Sequence, residues 1–174
     1  YIPVEWASKR LFVKFYGVQS VADLFVNGYH VGTHRGGATA FTFEITDKIR
    51  FGSDNSMLVV VSNSSRDDVL PTSTDMNLYG GIYRDVSLLV VNKNHIALGH
   101  FGDTGVKITP DLKEGSADIQ VETLVEGEGT VVVELLDAEG NSVARGEGEK
   151  TSLHLDAPHL WNGVKDPYLY TCVV

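Results

Sequence analysis

A single cysteine, Cys172, is all the thiol this 174-residue chain carries. An internal disulfide is therefore excluded, and a structural zinc site has no thiolate set to use. Long apolar runs are missing too. None reaches the roughly 18 residues a membrane-spanning helix needs, and the opening YIPVEWASKR lacks the charged-then-apolar layout of a signal peptide. Positive charge is scarce: 14 Lys and Arg stand against 23 Asp and Glu, a formal charge of −9, and no cluster gathers the basic side chains. A polyanion would be repelled, so neither nucleic acid nor a membrane is expected as a partner. Helical periodicity is absent as well, since no Ala/Leu/Glu/Lys stretch holds an apolar face for three turns and residues 47–50 make one turn at most. The lone thiol leaves the compartment open between cytoplasmic and periplasmic or secreted.

What is present is an ordinary globular composition, 43% hydrophobic and 21% charged, sized for one large domain or two small ones. The halves differ. Residues 1–92 hold 8 basic and 9 acidic side chains and 12 of the 16 aromatics, whereas residues 93–174 hold 6 basic and 14 acidic side chains and 4 aromatics. Two modules are expected, 1–92 and 93–174, the first suited to stack on the apolar face of a ligand and the second a solvated spacer.

The dominant period is two, in short β-branched or aromatic runs, which predicts an all-β protein. Strands are expected at 11–16, 21–26, 29–32, 40–45, 57–62 and 86–91, then at 95–101, 117–125, 130–136, 142–146, 152–155 and 168–174. Asn27-Gly28 between two of them predicts a type I′ hairpin, because both central residues of that turn take positive φ. Residues 126–129 and 138–141 read as hairpin loops at the spacing of an immunoglobulin-like sandwich. The chain begins without methionine and stops on the apolar strand 168–174, so it reads as a piece cut from something longer, with an exposed strand edge at that end.

Chemistry is harder to place. A retaining glycosidase holds two carboxyl groups about 5–5.5 Å apart, yet Glu122, Glu126, Glu134, Asp137, Glu139, Glu147 and Glu149 fall on turns or outward strand positions, so no catalytic residue is assigned. The six histidines, His30, His34, His95, His100, His154 and His159, show no ligand spacing. Ser62-Asn63-Ser64-Ser65 lacks the glycines of a nucleophile elbow. Gly36-Gly37 and Gly80-Gly81 open no helix and cradle no phosphate. The informative stretch is the long connection 63–85, because loops of that length in compact domains tend to be functional. Its Arg66, Asp67, Asp68, Asp75, Asn77, Tyr79 and Tyr83 are the hydroxyl-binding and ring-stacking types a sugar calls for, and Arg84-Asp85 reads as a structural charge pair at its end.

At these residues a family pattern appears. The runs GVQSVADLFVNGYHVGTHRGG (17–37), FTFEITD (41–47) and GGIYRDV (80–86) resemble the N-terminal sugar-binding domain of glycoside hydrolase family 2. HLWNGVKDPYLY (159–170) resembles the Leu-Trp…Pro-x-Leu-Tyr signature of the immunoglobulin-like domain that follows it. Within the family, DMNLYGGIYRDV (75–86) is similar to the β-galactosidase branch, with Tyr83 where β-glucuronidases tend to have histidine and Asn77 replacing an aromatic residue. The resemblance implies a jelly-roll sandwich followed by an immunoglobulin-like one. It also implies that catalysis rests on a (β/α)₈ barrel of the same parent chain, too large at about 250 residues to be hidden here. By the same resemblance Asp75 lies at the galactosyl-binding end with Asn77 and Tyr79 as substrate neighbours. Some members place a sodium or magnesium ion at the Asp75 position, and Gly80, Gly81, Arg84 and Asp85 would hold the base of the loop. The implied substrate is a β-galactoside or other sugar, and the implied assembly of the parent is a homo-oligomer. The alternatives are an independent carbohydrate-binding module or a β-glucuronidase-type parent.

Overall fold

The computed structural model describes residues 1–72, 77–100 and 104–174, and they form an all-β chain. Eight strands come from the first half: β1 (Arg10–Phe15), β2 (Val18–Gln19), β3 (Val21–Val26), β4 (Tyr29–Arg35), β5 (Phe41–Glu44), β6 (Met57–Ser62), β7 (Gly81–Ile82) and β8 (Val86–Val91). Eight more follow: β9 (His95–Ile96), β10 (Val106–Lys113), β11 (Ser116–Thr123), β12 (Val125–Glu126), β13 (Val132–Leu136), β14 (Ser142–Glu147), β15 (Lys150–Asp156) and β16 (Thr171–Val173). The only helical turns among the described residues are 3₁₀, at Val4–Ser8 and Thr46–Lys48.

The first sandwich faces the sheet β5-β1-β8 against the sheet β4-β3-β6. Its core follows from alternation: Leu11, Val13 and Phe15 on β1 meet Ala22, Leu24 and Val26 on β3, with Val18, Phe41 and Ile45 closing the cluster. The Asn27-Gly28 turn has φ of 52° and 85°, the two positive values a type I′ hairpin requires. Its Asn27 side chain reaches out to the Lys48 carbonyl and to Asn55, tying the hairpin to the neighbouring turn.

The second sandwich faces β10-β11-β15 against β14-β13-β16. Ala117, Ile119 and Val121 alternate inward on β11 toward Val131, Val133, Leu135 and Leu153. The 138–141 hairpin is present, its Asp137 carboxylate accepting from the Glu139 and Asn141 amides. The expected hairpin at 126–129 is not one: β12 pairs with β9 and β13 pairs with β14 and β16, so this Gly-rich link passes from one sheet to another. A strand that alternation did not reveal, β10, pairs with β11 through a tight turn at Glu114-Gly115. Pro110 and the charges Lys107, Asp111 and Lys113 mask it as a strand in the sequence, and it tolerates them because it lies at a sheet edge.

The two sandwiches meet at β1 and the β9–β12 ribbon. Phe12 breaks the β1 alternation, being 5% exposed on what would be the outward face, because the His95 ring packs edge-on to it at 5.6 Å. Beside it Arg10 grips Glu44 bidentately, Nε to Oε1 at 2.7 Å and Nη2 to Oε2 at 2.6 Å, while its Nη1 reaches Glu126 on β12 at 3.0 Å. These hydrogen bonds hold the Glu44 carboxyl below the usual carboxylate range.

Candidate functional site

The 63–85 connection leaves β6 and returns through β7 to β8, and its frame is built by close packing. A Cβ at Gly17 would lie 2.8 Å from the Tyr83 ring, so glycine there lets Tyr83 lie flat on the backbone and donate its hydroxyl proton to the Gly37 carbonyl. Gly80 is held the same way against Asn63, whose side-chain amide donates to the Leu78 carbonyl at 2.9 Å. Gly81 pairs with Gln19 across the β2–β7 ribbon. Val69 is buried and pins the outgoing limb. Asp68 is clasped between two arginines, Arg35 Nη1 at 2.5 Å and Arg66 Nε at 3.0 Å, and the Arg66 hydrogen bond leads in holding its carboxyl below the ordinary range.

Under this loop is a cleft of about 350 Å³ lined by, among others, Gln19, Asn63, Arg66, Leu70, Asn77 and Leu78. It mixes amides, hydroxyls and the Arg66 guanidinium with apolar walls, a combination that suits hydroxyl edges and one apolar sugar face. Asn77 lines this cleft, and Tyr79 projects from the loop 85% exposed. Asp75 lies outside the described residues. Arg84 does not close on Asp85: its guanidinium lies 5.3 Å from the Tyr83 ring centroid and Nη1 reaches the Tyr16 carbonyl at 3.5 Å, while the Asp85 carbonyl accepts from the Tyr16 amide. Trp161 lies apart on the second sandwich, in an apolar groove with Ile108, Leu112 and Leu160.

Several histidines and carboxylates are engaged elsewhere. His30 sits 3.1 Å from Asp23, whose carboxyl is held low by the Thr33 hydroxyl first and His30 second. His34 turns inward to stack on Phe41 at 3.9 Å, and burial pushes its pKa down. The two do not converge on one point. Among the described residues no three His, Cys, Asp or Glu side chains come together to hold a metal. Every described carboxyl whose pKa clearly departs from its ordinary value (Asp23, Glu44, Asp47, Asp68, Asp118 and Asp137) is pushed down by hydrogen bonds to it. A general acid working near neutrality needs the opposite shift.

A charge cluster lies on the outer face of β10-β11-β15. Lys113 and His154 both bond Asp118, His154 through Nδ1 at 2.6 Å, and His154 Nε2 lies 3.3 Å from Asp156. The Asp118 hydrogen bond, then that to Asp156, raises the His154 pKa above 6.5. A raised folded-state pKa means this contribution to stability is whole below about pH 6.5 and is lost as pH rises through the folded value. A proton NMR titration should place the His154 midpoint above that of His154 in urea-unfolded chain, and His154→Gln should flatten the decline in stability above that pH.

Comparison with known proteins adds the lineage. Residues 1–92 match the family model described as "Glycosyl hydrolases family 2, sugar binding domain", and residues 100–174 match that described as "Glycosyl hydrolases family 2". A Bacteroides fragilis protein named "Beta-glucuronidase" is 38% identical over 98% of this chain, which spans 27% of that protein. A Thermoanaerobacter pseudethanolicus "Beta-galactosidase" is 32% identical over 97% of the chain, which spans 24% of it. Among solved structures, a putative β-galactosidase from Bacteroides fragilis superposes with a TM-score of 0.91 at 35% identity, covering 98% of this chain and 28% of that one. A Lactobacillus rhamnosus β-glucuronidase superposes at 0.78 with 28% identity, covering 99% and 30%. The chain thus spans about a quarter of the length of the curated relatives it matches.

Proposed function

Since this chain belongs to glycosyl hydrolases family 2, we propose that it is the non-catalytic two-sandwich portion of a β-galactosidase-like retaining glycosidase, supplying scaffold and a substrate-side loop to a (β/α)₈ barrel of the same parent polypeptide. The observation that supports this reading is the succession of two family matches, at 1–92 and 100–174, on a chain that spans 27% and 24% of two relatives. The first sandwich, with its boundary near Asn92, carries the loop; the second is the spacer. In this reading Asp75, Asn77 and Tyr79 face the sugar, and Gly80, Gly81, Arg84 and Asp85 hold the loop's base. In the same reading a sodium or magnesium ion of the full-length enzyme would sit at Asp75, whose carboxylate is the oxygen ligand such a hard cation calls for.

The downward-shifted carboxylates give the reading its first test. The purified 174-residue chain is expected to turn over neither p-nitrophenyl β-galactoside nor the β-glucuronide. Turnover abolished by mutating one of its own carboxylates would refute it. A β-glucuronidase-type parent is the second reading, supported by the 38% identity to the Bacteroides fragilis protein of that name. Assaying the parent reading frame on both substrates separates the two. The exposure of Tyr79 beside the cleft supports a third, a free-standing carbohydrate-binding module. Calorimetric titration of the chain with galactose, lactose and glucuronic acid decides it: millimolar or tighter binding lost in Tyr79→Ala favours a module, and silence favours the scaffold.

A further inference from the structure

Of the eight asparagines in the chain, two precede glycine, Asn27 and Asn162. An Asn-Gly step carries the means to modify itself. The glycine nitrogen attacks the asparagine Cγ and an N–Cγ bond forms; the Cγ–Nδ2 bond breaks, the glycine amide proton passes through solvent to the departing nitrogen, and ammonia leaves. Water then opens the five-membered imide at one of its two carbonyls. The product is aspartate or, where the main chain is rerouted through Cβ and Cγ, isoaspartate. Glycine favours the attack because it has no Cβ to crowd the approach and adopts the backbone angles required at little cost. The other six asparagines precede residues that carry a Cβ.

The two steps stand in opposite surroundings. Asn27 lies in the hairpin between β3 and β4, and every polar atom of its side chain is engaged. Its Nδ2 donates to the Lys48 carbonyl and to Asn55 Oδ1, each at 2.7 Å, and its Oδ1 accepts from the Ser56 amide at 3.0 Å. Its own amide donates to the Ser56 carbonyl at 2.9 Å. Turning this carboxamide toward the Gly28 nitrogen breaks three bonds, each worth about fivefold in an equilibrium and about a hundredfold together. Asn162 has no such ties. It is exposed, in the loop between β15 and β16, and among the described residues neither its side chain nor the Gly163 amide makes a hydrogen bond. Only its main chain is held: the Asn162 amide donates to the Asp166 carbonyl at 2.7 Å and the Asp166 amide returns at 3.3 Å, closing a turn over Gly163-Val164-Lys165. Beyond its chain neighbours, the nearest atom to a Cβ built on Gly163 is in the Trp161 ring at 3.9 Å, so the carboxamide has room to swing over the glycine nitrogen.

We propose that Asn162-Gly163 is a self-modification site: in the folded chain Asn162 converts spontaneously to aspartate and isoaspartate, while Asn27, in the same dipeptide, is preserved. The product acts where it forms. A new carboxylate stands beside Asp166, whose Oδ2 lies 2.7 Å from His159 Nε2, and that histidine stacks on Tyr168 at 3.9 Å. Isoaspartate also adds a methylene to the main chain and turns the Asn162 carbonyl, which accepts from the Asp166 amide, into a free carboxylate, so the two-bond bridge no longer closes in its present form. The conversion is independent of the proposed function, since it needs only water and the two turns.

The test incubates the purified 174-residue chain at mildly alkaline pH and follows both steps by peptide mapping, which reads the mass gained when ammonia is exchanged for water. Labelling with an isoaspartyl methyltransferase reports the isoaspartate. The expected result is an Asn162 peptide that accumulates both products and takes the label, a more acidic chain on anion exchange, and an Asn27 peptide that converts about a hundredfold more slowly. In urea, with both turns dissolved, the two steps should convert at similar rates. Asn162→Ser should remove the acidic species and the label from the folded chain; the mapping of the unaltered chain stands without that variant if it misfolds. Conversion of Asn27 within about tenfold of Asn162 in the folded chain would overturn the proposal, because the three side-chain bonds would then protect nothing. So would an Asn162 that stays intact in the folded chain while the urea-unfolded chain converts. None of these readouts depends on glycosidase activity, so the proposed function stands or falls separately.

Discussion

Gly105→Ala is expected to destabilise the chain by about 3 kcal/mol, the sum of a backbone term of about 1–2 and a clash term of about 1–3. Gly105 has a φ of +66°, and a Cβ built on it would lie 2.1 Å from the Ala97 carbonyl oxygen and 2.8 Å from the Ile96 side chain. Neither neighbour can yield easily. The Gly105 carbonyl accepts from the Leu124 amide at 2.8 Å, and the Leu124 carbonyl accepts from the Ala97 amide at 2.8 Å, so the three backbones are laced together beside the β9–β12 ribbon. Gly115 is the control. Its φ of +77° is similar, but no atom lies within 4 Å of a built Cβ, so Gly115→Ala should cost the backbone term alone, about 1–2 kcal/mol. Urea unfolding of the two variants measures the difference, and equal losses would show that the Ala97 contact carries no penalty.

The contrast between these glycines marks where the sequence becomes hard to read. Local chemistry is legible. Asn27-Gly28 announced its hairpin, and the alternation of Leu11, Val13 and Phe15 announced β1 and its inward face, because turn φ and strand period act within a few residues. What alternation cannot carry is the effect of a distant neighbour. Phe12 looks outward in the sequence and is buried by His95, more than eighty positions away. β10 looks like a loop because an edge strand tolerates Pro110 and charge. The link at 126–129 has hairpin composition but joins strands that never pair, because pairing is settled by the sandwich as a whole. Within the candidate site, the polar loop at 63–85 was visible as a departure from period two. The clasp of Asp68 by Arg35 and Arg66, and the bracing of Tyr83 on Gly17 and Gly37, were not, since they join segments up to 66 positions apart. The Gly36-Gly37 pair was the available signal: a Cβ at Gly37 would meet the Gln19 side chain at 1.8 Å, and glycine at such a place marks close approach more often than a ligand cradle.

Phe15→Ala is expected to cost about 3–5 kcal/mol, the usual range for a buried phenylalanine that leaves a cavity. Phe15 is 1% exposed and stacks on Phe41 at 4.9 Å, and Phe41 in turn stacks on His34 at 3.9 Å and meets Phe43 edge-on at 5.4 Å. Removing the first ring takes away the floor of this aromatic column, and His34 precedes Gly36-Gly37, where Tyr83 braces the base of the 63–85 loop. The two hydrophobic clusters share no residue, one drawing on positions 2–90 and the other on 106–172. Native-state hydrogen exchange should therefore report the loss unevenly. Amides of β1, β3 and β8 should exchange faster by two to three powers of ten or more, about 1.4 kcal/mol for each. Amides of β11, β13 and β15 should move by no more than about 0.5 kcal/mol, as expected for distant sites without shared partners. A uniform loss across both sandwiches would mean that Arg10, bridging Glu44 and Glu126, and the Phe12–His95 contact couple them into one folding unit. In that case damage to the second sandwich would reach the 63–85 loop as surely as damage to the loop's own core.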